Sequence, residues 1–108
     1  MSATNDQPAQ HFVYKLIPPR PTFGPGDMSD DEAAVMAEHA GYWQRLTEDG
    51  KVVVFGPVVS PSGTWGLAVV RADTEDEMTA IGDADPAVTS GTCTFEVGMM
   101  PVAVLPGT

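Results

Sequence analysis

Two places in the chain carry a hydroxyl residue followed three positions later by glutamate, Ser29 with Glu32 and Thr74 with Glu77, each ahead of apolar residues at helical spacing. Such a capping box satisfies orphan amides at a helix start reciprocally, and the neighbouring acids favour the positive end of the dipole. Both positions therefore predict helix N-termini, and they divide the apolar runs into strand-like segments before, between and after. The first helix runs to about Glu48, with Ala33, Met36, Ala40, Trp43 and Leu46 on one stripe, and Gly50 ends it. The second is short, carrying Met78 and Ile81 before residues 82–86 close it.

The other apolar segments read as strands. Residues 11–17 alternate aromatic and aliphatic side chains and stop at Pro18-Pro19. Residues 52–55 form a continuous β-branched run, expected to be buried on both faces and stopped by Gly56-Pro57. Pro61-Ser62-Gly63 supplies a turn to a returning strand at 65–70, and a last strand occupies 92–105, interrupted near Pro101. The order β, α, β, β, α, β is the ferredoxin-like α+β arrangement: a four-stranded antiparallel sheet with both helices on one face. Apolar side chains of both parities in 52–55 and 65–70 make the helix-free face apolar too. A patch of that size calls for cover, so a homodimer packed sheet to sheet is expected.

A chain of 108 residues supports one core. We assign a flexible polar tail to residues 1–10 and one domain to 11–108. Fifteen acidic against five basic residues give a net charge of −10, which repels phosphate backbones and anionic lipid. Neither nucleic acid nor membrane is expected as a partner. The lone Cys93 rules out an intrachain disulfide and a multi-cysteine metal site, and suits a reducing compartment. The tail has no secretion-signal pattern, and no apolar run reaches membrane-spanning length, so the expected location is the cytoplasm. Residues 18–27 hold four prolines and two glycines, a long irregular loop of the kind that often borders binding sites.

The common catalytic signatures are missing: no nucleophile elbow, Walker loop, His-Glu-x-x-His or dinucleotide turn. Cys93 lies in an apolar strand pattern and reads as a structural thiol. His11 opens the first strand beside the polar tail, an ordinary solvated or packing position. His39 stands mid-helix at the border of the stripe, in register with Val35 and Trp43, where periodicity fits a structural and a catalytic histidine alike. Asp85 precedes Pro86 and by itself reads as a turn-former that caps nearby amides.

His39, Gly50-Lys51-Val52, Gly56-Pro57, Gly63-Thr64-Trp65-Gly66 and Ala84-Asp85-Pro86 through Gly91 occur in an order that resembles the YCII-related family, most closely its longer bacterial branch. The Pro19-Arg20-Pro21-Thr22-Phe23 loop after the first strand is similar as well, and the likeness covers about 12–105. The resemblance implies a ferredoxin-like fold paired as a dimeric α/β barrel. It also implies a pocket containing the histidine of the first helix and the aspartate of the Asp-Pro motif, here His39 and Asp85. Other branches carry an arginine three residues before that histidine, where this chain has Met36.

Such a pair is an acid–base device: the carboxylate fixes one imidazole nitrogen and leaves the other to exchange a proton. One branch of the family eliminates chloride from a hydroxylated chloroaromatic, and the wider barrel superfamily includes a lactone isomerase. The enzyme reading is therefore a lyase or isomerase acting on a small cyclic or aromatic compound. His39 and Asp85 would be its catalytic residues, and Phe23, Trp43, Phe55, Gly56 and Pro57 its pocket. The alternative is a dimeric small-molecule-binding or stress-associated accessory protein without turnover. Neither reading requires a metal or an organic cofactor, because two side chains are too few for a metal's first shell.

Overall fold

The computed structural model describes residues 9–107, so the segment assigned to a tail lies outside the described residues as far as residue 8. Along the chain come β1 (Gln10–Ile17), α1 (Asp30–Glu48), β2 (Val52–Ser60), β3 (Gly63–Ala72), α2 (Glu75–Asp83), α3 (Pro86–Thr89) and β4 (Thr94–Met100). The strands form one antiparallel sheet in the order β2-β3-β1-β4, which is the ferredoxin-like topology. Strand alternation sends Phe12, Tyr14 and Leu16 of β1 to the helix side with Ala68 and Val70 of β3, and all five are buried. Trp43 of α1, Met78 of α2 and Ala87 of α3 close the core from above.

The first capping box is complete: Glu32 N–H donates to Ser29 Oγ at 3.1 Å, and Ser29 N–H to Glu32 Oε1 at 2.9 Å. The second is half formed. Glu77 N–H donates to Thr74 Oγ1 at 3.1 Å, but the Glu77 carboxylate accepts from Asp73 N–H at 2.9 Å, one residue before the cap.

Several strand and helix expectations need correcting. β2 does not stop at Gly56-Pro57 but runs through them to Ser60. Among the described residues it is an edge strand paired only with β3, and a proline without an N–H is tolerated where one side of the backbone has no partner. Nor is the 52–55 run buried on both faces: Val53 and Val54 are 40% and 50% exposed, beside an irregularity in the pairing between Val52 and Val54. The last strand ends at Met100, before Pro101. On α1, Val35, Tyr42 and Leu46 pack against the core with Trp43, while Ala33 and Ala40 are exposed. The larger side chains set the rotation of the helix, because an alanine contributes little area to burial.

Gly82 of α2 lies against the side chains of β1 and β4. A Cβ there would stand 2.6 Å from Phe95 Cε2 and 3.0 Å from Tyr14 Cε1. Gly82→Ala is expected to destabilise the fold by about 1–3 kcal/mol through overpacking. Gly98→Ala, whose Cβ would meet nothing within 4 Å, should cost far less, and urea unfolding of the two variants compares them directly.

Candidate active site

Asp85 is the N-cap of α3, with Pro86 at the first helical position, and its Oδ1 accepts from Ala87 N–H at 2.8 Å. The 3.6-residue period of α1 puts His39 and Trp43 on one side of that helix, and the alternation of β1 turns Tyr14 inward beneath them. All three converge on the same carboxylate. Tyr14 Oη–H and Trp43 Nε1–H each donate to Asp85 Oδ2 at 2.8 Å. His39 Nδ1 lies 2.9 Å from Oδ2 and 3.0 Å from Oδ1. Asp85 is 0% exposed, whereas the His39 side chain is 16% exposed.

Burial pushes the Asp85 carboxyl up, but the hydrogen bonds from His39, Trp43 and Ala87 outweigh it and hold the group below the ordinary aspartate value. An ionised carboxylate only accepts, so His39 Nδ1 carries the shared hydrogen and the lone pair of a neutral ring sits on Nε2. Burial, then the Asp85 charge, keeps the Tyr14 phenol protonated well above the usual tyrosine range. Burial with the same charge pushes the Cys93 thiol up to about 11.

A cavity of about 300 Å³ opens beside this network. His39, Tyr14 and Trp43 reach its wall, and Asp85 stands behind them without lining it. Phe23, Phe55, Gly56 and Pro57 line the same cavity. The structure therefore places all seven residues singled out from sequence at or directly behind one space. Sequence reasoning did not give Tyr14 a role, nor place Met36, Thr64 and Cys93 on the wall. A tyrosine among the inward residues of a strand was a usable signal for the first, since a buried hydroxyl needs a partner.

The Pro-rich loop contributes Pro18, Phe23, Gly24 and Pro25 to the cavity, and Met28 follows it on the wall. Arg20 pins it. Its guanidinium donates to Glu32 at 2.7 and 2.9 Å and to the Asp27 side chain and backbone, and it stacks over Phe23 at 5.3 Å. That bond to Arg20 holds the Glu32 carboxyl down at about 2. The capping glutamate of α1 is thus also the anchor of the cavity wall. Among the described residues no three His, Cys, Asp or Glu side chains gather as a metal site.

Because the folded Asp85 carboxyl lies below its unfolded value of about 3.9, its contribution to stability is fully present above that pH and is lost as acid protonates the folded group. Tyr14 has the opposite sign: its folded value is raised, so stability falls once the pH climbs past about 10, where the unfolded phenol ionises. Asp85→Asn turns an amide N–H₂ toward bound donors and is expected to cost about 3–5 kcal/mol while flattening the acid limb. Denaturant titrations from acid to neutral pH check both effects.

The comparisons with known proteins agree with this architecture. The YCII-related domain matches residues 12–100. An uncharacterised protein of Bacillus subtilis (strain 168), YjpA, is 38% identical over 56 residues, which is 52% of this chain and 64% of that relative, less than two thirds of its length. A solved 5-chloro-2-hydroxyhydroquinone dehydrochlorinase from Burkholderia phenoliruptrix AC1100, in complex with 2,5-dihydroxybenzoquinone, superposes with a TM-score of 0.60. It is 20% identical and covers 82% of this chain and 90% of its own, a likeness of fold. With its family domain spanning 12–100, nearly all of the described chain, this protein belongs to the YCII-related family.

Proposed function

We propose that the protein is a small-molecule lyase or isomerase in which His39 exchanges a proton with a cyclic or aromatic substrate and Asp85 orients and balances the imidazole. The observation that carries this reading is the 2.9 Å contact of His39 Nδ1 with a fully buried carboxylate, beside a cavity that the same ring lines. The contact leaves Nε2 to act as base and, once protonated, as acid. Tyr14 and Trp43 spend their donors on Asp85 and serve as positioning residues. The fold shared with a dehydrochlorinase of a hydroxylated ring is in keeping with the same class of substrate.

A second reading, ligand binding without turnover, is favoured by one specific feature. Tyr14 and Cys93 are both held protonated, which leaves His39 alone among the described wall residues to exchange a proton. Elimination or isomerisation would have to take and return the proton on a single ring.

We also propose a cytoplasmic homodimer joined through the helix-free sheet face as a dimeric α/β barrel. Val13, Ile17, Val58, Trp65, Leu67 and Val69 share that face by register and alternation. No helix among the described residues is long and apolar enough to cross a membrane.

A thermal-shift screen of small phenols and cyclic acids would supply a substrate, since a ligand that binds only the folded chain raises its melting temperature. His39→Ala is then expected to lower kcat by about 100-fold or more; unchanged turnover sinks the acid–base reading. In sedimentation at micromolar concentration the wild-type chain should run as a dimer and Val69→Asp as a monomer. A stable wild-type monomer would remove the sheet-to-sheet pairing.

A further inference from the structure

Resting on the acid–base reading of His39, we infer that the cavity selects its ligand by charge. It takes a hydroxylated ring that arrives uncharged and bears no carboxylate, and the ring's hydroxyl ionises only inside, by proton transfer to His39 Nε2.

Among the described residues the wall provides no cation: of those that line the cavity none is Lys, Arg, Asp or Glu, and the titratable ones are His39, Tyr14 and Cys93. The chain's five basic residues lie elsewhere. Lys15 stands 5.1 Å from the Trp65 ring, and by strand alternation it belongs to the helix-free face. Arg20 turns its guanidinium to Asp27 and Glu32, and Lys51 reaches toward Glu77 at 3.5 Å. Arg45 and Arg71 are exposed and do not reach the wall. Two neutral donors that could have met an anion, Tyr14 Oη–H and Trp43 Nε1–H, are turned to Asp85.

A carboxylate entering this space would lose its water without gaining a charged partner, and it would face the buried Asp85 charge across a poorly screened wall. Protonation of His39 from solvent offsets only Asp85, which already accepts from that ring. A neutral phenol meets a different balance. Its O–H bond breaks, the electron pair stays on oxygen, and an N–H bond forms at Nε2. The imidazolium then lies between the phenolate and Asp85, and the net charge of the site does not change. At about 300 Å³ the cavity is at the small end of ligand pockets, which run to about 1,000 Å³, so it suits a single ring among Phe23, Trp43 and Phe55.

Met36 is the position where this selection can be changed. It lines the cavity and precedes His39 by three residues, on the same side of α1. Its thioether keeps apolar a stretch of wall from which a longer cationic side chain would reach a ligand's carboxylate.

The test uses the full-length protein at neutral pH and three probes that share one ring: hydroquinone, 2,5-dihydroxybenzoate and its methyl ester. The ester separates size from charge. Binding is read from the His39 side-chain NMR signals and from the melting temperature. Hydroquinone and the ester are expected to bind, with the carboxylate weaker than the ester by at least about tenfold. Met36→Arg, or Met36→Lys should the first variant fold poorly, is expected to close or reverse that gap. Equal or tighter binding of the carboxylate to the wild-type chain overturns charge selection and leaves the acid–base reading standing. Charge preference together with undiminished turnover in His39→Ala overturns the acid–base reading instead. If no probe perturbs His39, both fall.

Discussion

The carboxylate of Asp85 is the interaction on which the rest depends. A charge sealed from water is destabilising unless its lone pairs are met, and here β1, α1 and the first turn of α3 each bring a donor. Satisfying it therefore fixes where α1 sits over the sheet and where the chain turns after α2. The same demand orients an imidazole toward a cavity. Stability and the proposed chemistry use one set of hydrogen bonds, and a variant that harms one will harm the other.

Around this centre the aromatic rings form a continuous packing unit. Tyr14 lies between Trp43 at 4.6 Å and Phe95 at 5.1 Å, and Tyr42 meets Trp43 edge-on at 5.5 Å while donating to Ile81 O at 2.6 Å. The rings exclude water from Asp85 and so strengthen the bonds it accepts. They also limit what can change: Gly82 is glycine because Phe95 and Tyr14 occupy the space a Cβ would need. On the opposite side the loop pinned by Arg20 completes the cavity, joining the start of α1 to the wall that faces His39.

Much of this was legible in the residues. Capping chemistry is local, so Ser29 with Glu32 marked the start of α1 directly, and alternation in 11–17 separated the inward Phe12, Tyr14 and Leu16 from their neighbours. Errors arose where local patterns meet long-range placement. Gly56-Pro57 resembles a strand end, and only the edge position of β2 lets the strand continue. The β-branched 52–55 run resembles a doubly buried strand, yet at an edge its outer side chains remain half exposed in a single chain.

The sequence by itself determined the element order, the acidic surface, the single thiol and the two helix starts, because each depends on residues close along the chain. It also carried the family likeness that singled out His39 and Asp85. What only the tertiary structure decided is how Asp85 is satisfied. Tyr14 is 71 positions from it, Trp43 42 and His39 46, and no local rule relates such separations. Their meeting follows from the sheet register and the packing of α1, which settle together when the core closes.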